Sequence, residues 1–347
     1  MHTRRTASAG HTAPTLENPR PTRLVDCPGL ARAAGVRRVL AKCEWERPLG
    51  NFKSLGGMLA GLRALARAVD AESIGALLSG PARPLPRLLC ASDGNHGLAV
   101  AAAAACAGTR AEVYLPRAVP ALRAARITSI GGEVAWVDGT YDDAVLAAVA
   151  AAAAGDALLI PDTSPDPEDP VVRDVIDGYR VMTDEIAAQL DLAAIVPSHL
   201  FVQAGVGGLA AAMAATLHAR LRDPARLVVV EPADAACVAA ALQAGAPVRI
   251  EGGLHTAADM LACGLASASA VPVLRAHDAR SLLVNEGGLE PVVALLWTLC
   301  GIRTTASGAA GVAGLLHAAA PGTHADRHGL GPDSEVLLVI TEGAAGV

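Results

Sequence analysis

Beyond residue 87, short apolar runs alternate with Ala-rich segments of helical length. Leu88 to Ala91, Glu112 to Leu115, Glu133 to Val137 and Leu158 to Ile160 read as strands, with Gly97 to Gly108, Pro120 to Ile130 and Tyr141 to Gly155 as the helices between them. The rhythm stops at Asp162 to Pro170, where three prolines and four acids exclude both a continuous helix and a central strand. It resumes at His199 to Gln203, Leu227 to Glu231, Ser281 to Asn285 and Glu335 to Thr341, largely apolar runs of the kind that strands covered on both faces require. The pattern predicts an α/β protein of two doubly wound units, with the proline-rich segment a loop and a possible crossing between them.

Composition sharpens this picture. The 347 residues leave room for two domains, and an apolar content of 52% with only 2% aromatics demands a core of Ala, Val and Leu, so helices must lie close to sheets. A net charge of −6 and the absence of a basic stripe exclude the electrostatic footprint of a nucleic-acid binder. Mean hydropathy is +0.39, and Leu200 to Leu217 runs eighteen residues without a charge, which raises a membrane reading. The Gln203 and the glycines and alanines inside that run fit a buried strand followed by a helix better. Seven scattered cysteines with no CxxC pair predict reduced thiols in cytoplasm and no metal site. Residues 1–22, polar and without the apolar core of a secretory signal, read as a disordered tail.

Three segments can carry chemistry. Lys42 and Lys53 are the only lysines against twenty-six arginines, so a lysine here calls for a specific reason. Lys53, in Asn51-Phe-Lys-Ser at the start of a helix, offers an amine that can deprotonate and form an imine, which a guanidinium cannot; a solvated helix-start lysine is the plainer alternative. Ser92-Asp-Gly-Asn-His-Gly97 joins a strand to a helix where open α/β sheets bind ligands, or is an ordinary capped turn, although capping does not explain Asn95 and His96. Gln203-Ala-Gly-Val-Gly-Gly-Leu209 forms a phosphate cradle between strand and helix. It also satisfies the dinucleotide fingerprint Gly205-x-Gly207-x-x-Ala210, with Glu231 near the place of a ribose-binding acid, so a nicotinamide dehydrogenase is a rival.

Together the segments fit an imine-forming cofactor with one phosphate. In order and composition they resemble the fold-type II pyridoxal phosphate enzymes, and within these the diaminopropionate ammonia-lyase family. Asp162-Thr163 with Gly178-Tyr179, Val230-Glu-Pro232, Thr256 followed by Ala262-Cys-Gly264, Ser307-Gly308 and Val339-Ile-Thr-Glu-Gly343 extend the likeness from about residue 45 onward. The resemblance implies a smaller α/β domain at 48–157 and a larger one at 23–47 plus 158–347. It implies Lys53 as the cofactor-bearing lysine and a base at the substrate α-carbon, flanked by Phe52, with Asn95 on the ring hydroxyl. The backbone of Gly205, Val206, Gly207, Gly208 and Leu209 should hold the phosphate, and Thr341 should meet the pyridine nitrogen. Asp93, Ser92 and His96 fall in the substrate loop.

Asp93 bears most on the substrate. Relatives acting on mono-amino acids typically carry a hydroxyl residue there, because an anion repels the substrate carboxylate, whereas a second ammonium on the substrate reverses the sign. The resemblance further implies Asp93 and Asp162 as proton carriers, with loop capping the alternative for Asp162. Pro165, Glu168 and Leu265 depart from the family pattern. The implied activity is β-elimination of 2,3-diaminopropionate to pyruvate and ammonia by a homodimer acting on a small amino acid. The alternatives are a serine or threonine dehydratase, a β-replacement synthase, or a pyridoxal phosphate binder without turnover.

Overall fold

The computed structural model describes residues 20–344 except 82, 156, 223–225 and 321–327. The expected tail therefore falls outside the described residues up to 19, while Thr22 is buried, its hydroxyl donating to Glu44 Oε1 at 2.6 Å.

Two sheets organise the chain. The smaller is fully parallel, with β3 (Arg87–Ala91) between β4 (Ala111–Pro116) and β6 (Ala157–Leu159), and β5 (Glu133–Val137) outside β4. Its edge strand β6 ends at Leu159, two residues beyond the expected boundary at 157. The larger sheet runs β1 (Leu24–Asp26), β2 (Arg38–Cys43), β10 (Glu335–Ile340), β7 (His199–Gln203), β8 (Leu227–Pro232), β9 (Arg280–Val284), parallel except for β1. The apolar pattern locates eight of these strands to within a residue or so at each end. It passes over β1 and β2, whose interrupted apolar run Arg38-Val-Leu-Ala-Lys-Cys43 contains a charge; Lys42 is nonetheless fully buried, its ammonium 2.7 Å from Glu185 Oε2.

Helices α2 (Lys53–Ala68), α4 (Asn95–Ala107) and α7 (Pro170–Ala193) link the sheets. A Cβ on Gly56 would lie 2.5 Å from Val175 O, and one on Gly178 2.5 Å from Leu55 O, so α2 and α7 cross with their backbones touching. Helix α4 is apolar on every face and buried from Asn95 to Ala104, as a helix enclosed on all sides must be. This is the tight helix packing that an aromatic-poor composition demands. The uncharged run at 200–217 is the buried strand β7 followed by α8 (Gly208–Leu217), and no described helix is long and apolar enough to cross a membrane.

Candidate active site

The carboxyl ends of β3, β7 and β10 converge on one cleft, where open parallel sheets leave their loops free to bind. Every residue expected at the site lines it: Phe52, Lys53, Ser92, Asp93, Asn95, His96, Asp162, Gly205, Val206, Gly207, Gly208, Leu209 and Thr341. They come from five separate stretches of sequence.

Lys53 opens α2, and its ammonium donates to Asp162 Oδ2 at 2.6 Å. The Tyr141 hydroxyl donates to the other oxygen, Oδ1, at 2.5 Å. Burial favours the neutral amine, but the Asp162 carboxylate overrides it and holds Lys53 above its ordinary value. For Asp162 burial acts upward, yet Lys53, with the hydrogen bond from Tyr141, holds the carboxyl well below the usual carboxylate range. Burial, then Asp162, pushes the Tyr141 phenol well up. Both oxygens of Asp162 are thus engaged, one by Lys53 and one by Tyr141, and it caps no helix; the adjoining helix is capped by Asp169 instead.

Asp93 lines the same cleft, its carboxyl without such a partner among the described residues. Its backbone carbonyl accepts from Arg123 Nη1 at 3.3 Å, and burial, only partly offset by Lys53, pushes its carboxyl up to about 7. The two acids in one cleft are therefore pushed in opposite directions, the arrangement from which acid and base roles are drawn.

The remaining loop residues are held by local geometry. Ser92 Oγ accepts from the amides of Gly94 and Gly97, both at 2.8 Å, and so fixes the turn that presents Asp93. His96 Nε2 lies 2.8 Å from Ile160 O, and burial lowers its pKa, so it braces the loop as a neutral ring. Asn95 Nδ2 donates to Glu342 Oε2. Phe52 precedes α2 with its ring 5.0 Å from that of Tyr179. Thr341 Oγ1 accepts from Gln203 Nε2 at 3.2 Å.

The glycine loop is shaped for a phosphate. Gly207 caps α8 at φ +96° with no side chain bonding the first-turn amides, so these donors and the positive end of the helix face the cleft. A Cβ at Gly207 would sit 3.2 Å from both Ala270 and Val238. Gln203 Oε1 and His96 Nδ1, in the wall of the same cleft, are buried without a hydrogen-bond partner. Glu231, by contrast, accepts the amides of Val238 at 2.7 Å and Ala239 at 2.8 Å, so it caps a helix and does not line the cleft. The dinucleotide reading loses its ribose acid.

Tyr141 is a site residue that motif reasoning passed over, and Glu342, though inside the Val339–Gly343 stretch, was given no role. Tyr141 was visible only as a helix start, yet the scarcity argument that selects Lys53 applies to it, since the chain has three tyrosines and two of them, Tyr141 and Tyr179, line the cleft.

Comparison with known proteins agrees with this geometry. Residues 15–342 match the family described as pyridoxal-phosphate dependent enzyme. The diaminopropionate ammonia-lyase of Salmonella typhimurium is 30% identical over 337 residues, covering 90% of this chain and 83% of the relative. The crystal structure of the Escherichia coli diaminopropionate ammonia-lyase with D-serine superposes with a TM-score of 0.86 at 27% identity, covering 95% of this chain and 86% of that one. The same enzyme with an aminoacrylate-PLP azomethine intermediate gives 0.85 at 27% identity over the same shares. A cleft that joins a lysine to an uncapped glycine loop is thus accompanied by a family match over nearly the whole chain, and the chain belongs to the pyridoxal phosphate-dependent enzymes.

Proposed function

We propose that this enzyme eliminates ammonia from 2,3-diaminopropionate. The substrate loses its α-proton and its β-amino group, giving ammonia and 2-aminoacrylate, which tautomerises to the imine and takes up water to give pyruvate and a second ammonia. The observation that carries the reading is the Asp93 carboxyl, set in the same cleft as the Lys53–Asp162 pair with its pKa pushed up to about 7. An anion there attracts a substrate with a second ammonium and repels one with only a carboxylate.

When bound, pyridoxal phosphate supplies a ring that accepts the electron pair released at the α-carbon. The protein supplies the rest. Lys53 is read as the residue that bears the cofactor and then acts as a base at the α-carbon, with Asp162 holding its proton in reserve and Tyr141 holding Asp162 in place. Asp93 is read as the second base, approaching from the other face, so that both enantiomers are substrates. As the conjugate acid it protonates the departing nitrogen. The amides of Gly205, Val206, Gly207, Gly208 and Leu209 are read as the phosphate site, Asn95 as the partner of the ring hydroxyl, and Thr341 as the partner of the pyridine nitrogen. A neutral hydroxyl there does not enforce a protonated ring, which suits elimination. Ser92 and His96 shape the substrate side of the loop.

The division into domains at 48–157 and 23–47 plus 158–347 belongs to the same proposal, supported by the two sheets save that β6 carries the smaller one on to Leu159. So do a homodimer and a cytoplasmic location, the latter supported by seven free thiols. Pyruvate release from diaminopropionate, serine and threonine, measured side by side, tests the substrate. Diaminopropionate is expected to win; preference for a hydroxy amino acid refutes the reading in favour of a dehydratase.

A further inference from the structure

Glu342 follows the last strand and is buried, yet the elimination reading gives it no task. The surrounding structure is arranged around it. Its side chain accepts from Asn95 Nδ2 through Oε2 and from Thr305 Oγ1 through Oε1, and its carbonyl accepts from Thr304 Oγ1 at 2.6 Å. A Cβ on Gly308 would stand 3.2 Å from Glu342 Cγ and 3.0 Å from its carbonyl oxygen, so the helix opposite leaves room for this side chain. The flanking backbone is fixed as well, Gly343 N donating to Gly50 O at 3.1 Å and Phe52 N to Thr341 O at 3.0 Å.

Its bond to Asn95 joins the end of the larger sheet to the first residue of α4 behind the smaller one. A carboxamide has a donor end and an acceptor end of nearly equal shape, and only its partners decide which way it points. A carboxylate accepts and cannot donate. Paired with Glu342, Asn95 must therefore turn its NH₂ group toward that residue, and the second N–H remains available.

We propose that Glu342 is a positioning residue: by accepting one Asn95 N–H it fixes the orientation of that amide, so that an N–H and not a C=O is presented to the hydroxyl oxygen of the bound pyridoxal ring. The inference rests on the reading that Asn95 meets that oxygen. A donor there favours the deprotonated ring oxygen, whose imine absorbs in the visible, over the neutral form, which absorbs in the near ultraviolet. Burial raises the Glu342 pKa above its ordinary value, only partly offset by the Thr305 and Asn95 bonds and Arg123, so it is the donor on each carboxylate oxygen that supports the ionised form.

The test compares holoenzyme spectra of the wild type, Glu342→Ala, Glu342→Gln, Asn95→Ala and the Glu342→Ala/Asn95→Ala pair, each reduced with borohydride to map the adduct. Loss of one ordinary hydrogen bond shifts the balance of the two absorbing forms about 2- to 10-fold. Glu342→Ala and Asn95→Ala are expected to shift it in the same direction, toward the near ultraviolet, with the adduct still on Lys53 and no further change in the pair. Glu342→Gln, which can donate or accept, is expected to give a smaller shift the same way. It preserves the packing and decides the question if the alanine variant does not fold. A wild-type spectrum in Glu342→Gln beside a shifted Asn95→Ala overturns the role of Glu342 alone. A wild type that forms no borohydride adduct at Lys53 refutes the reading of the site on which the inference depends.

Discussion

Asp93→Asn separates the electrostatic cost of the site from its chemistry. Burial lifts this carboxyl from an ordinary 3.8 to about 7, so the folded protein holds the proton more tightly than the unfolded chain does. Between those values the folded state binds more protons, and stability therefore falls as pH rises from about 4 to about 7 and levels off above. The full shift corresponds to a ceiling of about 4 kcal/mol. The side chain is only partly buried, and solvent screening brings the expected cost down to about 1–2 kcal/mol. An asparagine of the same shape carries no charge at any pH. In urea unfolding of the cofactor-free protein, Asp93→Asn should match the wild type near pH 4 and exceed it by about 1–2 kcal/mol at pH 8. The same variant should lose ammonia release from at least one enantiomer of diaminopropionate, and the rise of kcat/KM with an apparent pKa near 7 should disappear with it. A stability gap that does not widen with pH refutes the electrostatic reasoning, and full activity on both isomers refutes the catalytic one.

Further substitutions probe the surroundings. Asp162→Asn leaves the Lys53 ammonium without its partner at 2.6 Å, and the amine pKa should fall because burial then acts largely unopposed. The expected stability loss is about 3 kcal/mol by urea unfolding, at the low end for a broken buried pair because the Lys53 side chain stays 25% exposed. Gly207→Ala forces a left-handed backbone and a crowded Cβ on the phosphate loop, and should weaken pyridoxal phosphate binding about 10-fold in equilibrium dialysis. Lys42→Ala strips the half-buried Glu185 of one of its two cations, replacing a fully buried ammonium, and should cost about 3 kcal/mol of stability while leaving the borohydride adduct on Lys53 intact.

The two lysines show how far scarcity can be read. It singles out both and cannot tell them apart, because the difference lies in what surrounds each. Lys42 projects from β2 onto α7, where Glu185 and Gln189 close around it with the Thr22 carbonyl. Lys53 instead opens a helix at the mouth of a cleft. The same limit applies to Asp162, whose place in a proline-rich acidic loop suggests capping until Tyr141 and Lys53 are seen on its two oxygens.

What the sequence determined by itself is local and periodic. The alternation of apolar runs with Ala-rich segments sets strands and helices, because burial of each face follows directly from the order of side chains. The glycine loop and the Lys53 and Asn95 segments are equally local, since backbone freedom and an ionisable amine are properties of single residues. The tertiary structure alone decided the pairings across the cleft. Asn95 and Glu342 are 247 residues apart, and Lys53 and Asp162 are 109 apart. Such pairs form only because the strand order brings the ends of β3, β7 and β10 together, and the pKa values that separate Asp93 from Asp162 depend on the burial and neighbouring charge that this convergence creates.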